Sequence, residues 1–422
     1  MGRDRSGRYL VGVTLPDGAR GPEPSAGSAA PVTPMAGSVD PQFDLVREAF
    51  AANFEPCEGD PGDLGAALAV VIDGRPAVDL WGGWREPARH TPWDRDTLVN
   101  VYSVGKAVAS VATLALVERG DLELDLPVAT WWPELSHKGN DGTTLRQVLA
   151  HRAGLPAIRE PLEDDDLFDW DRMCAALART EPWWSPGSAH GYHTNTLGFL
   201  LGEPARRVTG RRFGATVADL VTLPAGADLH IGLPASEHHR VAEVDGASAQ
   251  DGLGPDAFGQ RGQREQQDAL VELRYCTYFN PPGLSGFGTV NTSRWRSAEI
   301  PSTNAHGTAM GVARVFASMV GAGTGPTLLG PELLGEAVTV HSAGHDLVLD
   351  RESRFGLGMM LPQDGRPMGL GPSSFGHYGF GGSLGFADRD ARLGFGYVIN
   401  RPGDRWQVPR TRRLLAALRE CL

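Results

Sequence analysis

The sequence predicts a mixed α/β protein in which strands from both chain ends build one sheet around an inserted helical region. Three observations predict it. Strand-like patterns lie near the start, within Gly65–Trp81, and again in the last third, as FGLGMML, GHYGFGGSLGFAD and RLGFGYVIN. Between them the chain reads as apolar helices separated by polar, Gly- and Pro-rich loops. No internal repeat relates the two strand-bearing ends, so they read as parts of one sheet.

Residues 1 to about 40 are rich in Gly, Pro, Ser and Ala and read as a flexible leader, with Met35 a possible true start. Pro41–Phe54 places Phe43, Val46, Phe50 and Phe54 at helical spacing after a possible Asp40 cap. In Gly65–Trp81, ALAVVI and PAVDLW flank Asp73-Gly74, the pattern of a tight hairpin. Ser103–Gly120 is a long apolar helix, ended by glycine. TLRQVLA (144–150) is a short helix closed by His151, and the acidic run 163–166 reads as a solvated loop. Residues 245–268 read as a surface excursion, Asn304–Met319 as a helix, and Arg410–Leu422 as a closing amphipathic helix. The resulting division is a leader (1–40), a discontinuous α/β domain (41–106 and 296–422) and a mainly helical domain (107–295).

Composition limits the function classes. The chain has 422 residues, 41% hydrophobic and 21% charged, which excludes wholesale disorder. A net charge of −12 argues against nucleic acid or an anionic membrane as partner. The longest apolar stretch, Ala107–Val117, is far shorter than the roughly 20 residues of a membrane span. The first 40 residues contain no apolar core of a secretory signal. Cys57, Cys174, Cys276 and Cys421 are scattered without ligand spacing, which predicts no metal site and suits a reducing cytoplasm.

The chemistry begins at Ser103-Val104-Gly105-Lys106. Residues i and i+3 share a helix face, so a lysine amine can stand beside a serine hydroxyl. A hydroxyl needs a base to become a nucleophile, and a desolvated lysine is one. Alone, this spacing is common on Ser-capped helices. Two further segments add to it: Tyr192-His193-Thr194-Asn195 after Trp184-Ser185-Pro186-Gly187, and His377-Tyr378-Gly379-Phe380 on a late strand.

S-x-x-K, a tyrosine, then a glycine-bearing strand form the three-part signature of penicillin-recognising serine enzymes. The sequence resembles the class C β-lactamase superfamily, and within it the family VIII carboxylesterases. The resemblance runs over about residues 40–420. It rests on VDLWGGW, NVYSVGKAVAS, TLRQVLAHRAGLP, WSPG with GYHTNTLGFLLGE, ADLHIGLP and FGHYGFGGSLGFAD. It implies an α/β plus all-α fold: an antiparallel sheet flanked by terminal helices, with an inserted helical region. It implies Ser103 as nucleophile, Lys106 as its base partner, Tyr192 as proton shuttle, and the N–H groups of Ser103 and Phe380 as oxyanion hole. His377 falls where β-lactamases carry the lysine of Lys-Thr-Gly, and Thr194 where they carry the asparagine of Tyr-x-Asn. Both departures count against β-lactam hydrolysis. The implied activity is acyl transfer from a small-molecule ester or amide, without cofactor: an esterase, or alternatively an acyltransferase or transamidase. A D-amino-acid peptidase and a non-catalytic sensor are the remaining readings.

Other residues carry weaker signals. Tyr378, Asn195 and His306 are candidate cleft residues, with the other face of the sheet as the alternative for Tyr378 and capping or packing as the alternative for His306. His151 reads as a structural hydrogen bonder, and His230, His238 and His239 as surface. Trp81 and Trp84 read as core; Trp183 and Trp184 are the better cleft candidates. Gly381-Gly382-Ser383-Leu384-Gly385 fits G-x-S-x-G, but a strand follows where that motif needs a helix, and no histidine follows at all. Ser383 is therefore expected in the turn of a strand pair.

Overall fold

The hairpin expected at the start of the chain is the middle of the main sheet. The protein is described by a computed structural model covering residues 33–136, 138–246, 269–286, 288–403 and 406–422. In chain order the first elements are β1 (Met35–Val39), α1 (Asp44–Ala52), β2 (Gly65–Ile72), β3 (Arg75–Gly83), β4 (Val99–Asn100) and α2 (Val104–Glu118). The helical part follows: α3 (Leu145–Leu149), α4 (Trp170–Ala178), α5 (Leu197–Thr209), α6 (Phe213–Val217), β5 (Leu229–His230), α7 (Ala269–Phe279) and α8 (Ser293–Ser297). The chain then forms β6 (His306–Gly307), α9 (Ala309–Met319), α10 (Pro331–Ala337), β7 (Ser342–Asp346) and β8 (Arg351–Phe355). It closes with β9 (Ser374–Tyr378), β10 (Leu384–Asp388), β11 (Leu393–Ile399) and α11 (Pro409–Cys421).

Six antiparallel strands run in the order β1-β3-β2-β11-β10-β9, so N-terminal and C-terminal strands meet where β2 pairs with β11. The β2–β3 turn uses Asp73 and Gly74, both with positive φ, the geometry that matches the twist of a hairpin. Strand β2 is apolar on both sides because both its faces are covered. Leu68 and Val70 pack with Phe50 of α1 and Leu414 and Leu418 of α11. Ala67, Ala69 and Val71 belong to the core shared with α9. Helix α9 sits close on the sheet because β11 offers glycines: a Cβ at Gly394 would meet the Ala313 carbonyl at 2.2 Å, and one at Gly396 the Ala309 carbonyl at 2.3 Å.

Four expectations need correction. Met35–Val39, placed in the leader, is an edge strand paired with β3 from Met35↔Gly82 to Val39↔Val78; residues 1–32 lie outside the described residues. FGLGMML is no strand: β8 ends at Phe355, and Gly358 at φ 74 turns the chain so that Phe355 bridges Met360. The boundary drawn after residue 106 falls inside α2, which runs from Val104 to Glu118. The predicted helix from Asn304 begins only at Ala309, capped by the Thr308 hydroxyl, because His306 and Gly307 pair as strand β6. The excursion at 245–268 falls mostly outside the described residues.

Candidate active site

Ser103 sits at the head of α2, directly after Tyr102, whose φ of 47 is unusual for a residue with a side chain. This turn lifts the serine onto the wall of a cavity of about 480 Å³. One helical turn on, Lys106 is fully buried, its Nζ 2.9 Å from Ser103 Oγ. The amine also donates to the Ser302 carbonyl oxygen at 2.8 Å. Burial holds the lysine well below its ordinary range. Burial therefore favours the neutral amine, whose lone pair can face the hydroxyl.

Tyr192 reaches the same point from the loop before α5. Its phenol is hydrogen-bonded to Ser103, and burial nevertheless pushes its pKa well up, so it stays a proton donor. The Lys106 Nζ lies 4.9 Å from the centre of its ring. His377 of β9 stands behind the phenol, with Nε2 3.4 Å from the Tyr192 oxygen. Its Nδ1 is 2.7 Å from the Tyr378 carbonyl, which requires a proton on Nδ1 and leaves Nε2 as an acceptor. Burial lowers this histidine to about 3, so it is neutral, and a proton on Lys106 during the reaction lowers it further.

The loop that carries Tyr192 is pinned on three sides. Gly191 N–H donates to the His151 carbonyl, and His193 N–H to His151 Nδ1 at 3.1 Å. Tyr192 N–H donates to the buried Asp346 carboxylate at 3.0 Å. Asp346 also accepts from Val348 N–H, Leu349 N–H and the Ser353 hydroxyl. His151 is thus the hydrogen bonder the sequence suggested.

Gly379 joins β9 to the nucleophile. A Cβ there would meet the Val101 carbonyl at 2.5 Å, so only glycine lets this strand end lie against the residues before Ser103. Phe380 comes to rest with its ring 5.5 Å from Tyr102, edge to face, and lines the cavity with Ser103. Thr194 and Asn195 line it too. Asn195 is largely committed to structure: its amide donates to the Thr277 carbonyl and Ser285, and its oxygen accepts from Thr303.

Ser103, Lys106, Tyr192, Thr194, Asn195, His377, Gly379 and Phe380 therefore converge. Two candidates do not. His306 is buried in the three-stranded β4-β6-β5 sheet, its Nδ1 on the Asn304 carbonyl, and does not line the cavity. Tyr378 follows His377 on β9 and so faces the other way, its hydroxyl on the Pro367 carbonyl. Trp183 and Trp184 also miss the cavity; Trp183 stacks under Arg159 and donates to the Ala157 carbonyl. Ser383 lies buried in the β9–β10 turn, away from the cavity, as expected. The sequence reading overlooked Ser302, Asp346 and Trp406. The Trp406 ring lies 5.3 Å from that of Tyr192 and forms part of the cavity wall. Its one sequence signal is a tryptophan in the polar loop between the last strand and the last helix.

The family comparison decides the fold assignment. The profile described as Beta-lactamase matches residues 50–419. The chain belongs to the beta-lactamase family. The mixed helices and antiparallel sheet are the beta-lactamase and penicillin-binding-protein-like fold, and the chain is a serine hydrolase of that family. It is 33% identical over 372 residues to the Esterase/beta-lactamase LipL of Mycobacterium tuberculosis, covering 86% of this chain and 82% of that one. A family VIII carboxylesterase crystal structure superposes with a TM-score of 0.81 at 36% identity, over 92% of this chain and 100% of that one. A penicillin-binding protein homologue from Caulobacter crescentus gives a TM-score of 0.80 at 36% identity, with the same coverage. Among the described residues no helix is long and apolar enough to cross a membrane, and no cluster of side chains could hold a metal ion.

Proposed function

We propose that this protein hydrolyses carboxylic esters through an acyl-enzyme on Ser103. The observation that carries the reading is the buried Lys106 amine, 2.9 Å from Ser103 Oγ and, among the described residues, paired with no carboxylate. A neutral amine there takes the hydroxyl proton as Oγ attacks the ester carbonyl. The backbone N–H groups of Ser103 and Phe380 receive the oxyanion. As the carbon–oxygen bond to the alcohol breaks, the Tyr192 phenol gives its proton to the departing oxygen and regains one from the Lys106 ammonium. Water then attacks the acyl-serine: its proton passes through the same pair, and Ser103 leaves protonated with the acid released. His377 contributes an acceptor that orients the phenol and adds no positive charge to the site.

The similarity to LipL and to the family VIII carboxylesterase supports esters as substrates. Four cysteines scattered along the chain without ligand spacing support a reducing, cytoplasmic setting. The test is mass spectrometry of products from p-nitrophenyl butyrate with butylamine present. Butyric acid is expected as the product. Amide formed ahead of acid would turn the reading to a transferase.

A further inference from the structure

Next to the catalytic cavity lies a second pocket of about 160 Å³, and the two share Leu349, Arg351 and Trp406 as walls. The second pocket is cationic. Arg351, Arg354, Arg366 and Arg412 line it, against a single carboxylate among the described residues, Glu352. None of the four arginines has an ion-pair partner among the described residues. Arg354 and Arg366 each donate to a backbone carbonyl, of Pro362 and Glu352 respectively. Of the other acids nearby, Asp350 is paired with Arg274. Asp346, opposite Arg351 in the β7–β8 pairing, has its oxygens occupied by the donors around the Tyr192 loop.

Arg351 connects this pocket to the chemistry. Its guanidinium lies 4.6 Å from the centre of the Trp406 ring, and the same ring packs on Tyr192. Its charge is felt at the Tyr192 phenol, where it opposes the effect of burial. Tyr192 is the group that protonates the leaving oxygen, so the alcohol portion of an ester departs on the side where Trp406 stands. A half-buried guanidinium fork stacked on an aromatic ring, with no carboxylate partner among the described residues, is a receptor for a planar or tetrahedral oxyanion.

We propose that this pocket is an anion subsite, and that the preferred substrates are esters whose alcohol portion carries a carboxylate or phosphate. The proposal rests on the ester reading above and adds the substrate class. The test compares butyl butyrate, 4-butyryloxybutanoate and 4-butyryloxybutyl phosphate, which share an acyl group and a chain length and differ in the terminal group. The kcat/KM for butyrate release is expected to be at least tenfold higher for one of the anionic esters than for butyl butyrate. The larger of the two ratios identifies the anion. Arg351→Gln and Arg412→Gln should each reduce that ratio several-fold, and 0.5 M salt should reduce it in the wild type. Turnover of butyl butyrate with no anionic preference, or a ratio that survives both substitutions, overturns the subsite and leaves the ester reading standing. If no ester is turned over, the ester reading fails. Calorimetric binding of 4-butyryloxybutanoate to Ser103→Ala protein, with and without Arg351→Gln, then decides the subsite: equal affinity overturns it, and a tenfold loss upholds it.

Discussion

The backbone N–H of Tyr192 donates to the carboxylate of Asp346, 154 residues away in sequence, at 3.0 Å. That carboxylate holds the tyrosine loop to the end of β7 and caps the turn into β8. A reactive phenol is thereby positioned by a residue that never touches the cavity.

Replacing Asp346 by alanine would leave buried donors at Tyr192, Val348, Leu349 and Ser353 without an acceptor. An expected loss of about 2–4 kcal/mol in stability follows, measured by urea unfolding. Because the loop would shift, kcat should fall by roughly tenfold or more even where the variant is fully folded. A stable variant with an unchanged kcat would show that Tyr192 does not depend on this anchor.

The pH–rate profile reads the Lys106 amine. Burial lowers its pKa, and the base works only when neutral, so activity is lost as pH falls through that lowered value. Burial raises Tyr192, so the phenol keeps its proton on the alkaline side. The expected kcat/KM therefore rises to a plateau well below the ordinary lysine range and does not decline near pH 9–10. Lys106→Ala and Tyr192→Phe should each cost orders of magnitude and the double variant little more, since they relay one proton. Additive losses would separate them.

Stability should fall in acid for a different reason. His193, His306 and His377 are lowered to about 3, chiefly by burial, from an unfolded value of 6.5. Between those values the unfolded chain binds protons that the folded protein refuses, so unfolding gains as pH drops. The urea midpoint should be nearly flat above pH 7 and decline steeply from about pH 6 to 4. A midpoint that held steady to pH 4 would mean these rings are not buried as neutral imidazoles.

Ser383→Ala is the control for the second serine motif. The Ser383 hydroxyl is buried without a hydrogen-bond partner among the described residues, so removing it should change stability by less than about 1 kcal/mol and leave kcat intact. Loss of activity in this variant, folded, would mean that the wrong serine has been assigned.

These residues also show what a sequence can and cannot reveal. Ser103 and Lys106 were legible because their contact is local, one helical turn apart. The sheet was legible because β2 and β11 are apolar runs bounded by turns. Tyr192, His377 and Phe380 became legible only through resemblance, since their meeting is tertiary. Asp346, Ser302 and Trp406 carried no local signal; a buried aspartate and a backbone carbonyl acquire roles only from what the fold brings to them. The sequence left His306 and Tyr378 open, because strand pairing decides which side chain faces a cavity, and a one-residue step reverses it. FGLGMML has strand composition, yet its glycines allow a turn that its apolar residues do not foretell.

The central claim is that Ser103 becomes covalently acylated. Its most direct test is intact-protein mass spectrometry of the wild type quenched in acid during turnover of p-nitrophenyl butyrate, followed by peptide mapping. The account predicts a butyryl adduct on Ser103, absent in Ser103→Ala, which should be folded and inactive. An adduct on another residue, or a Ser103→Ala protein that turns over the ester at close to the wild-type rate, would contradict it.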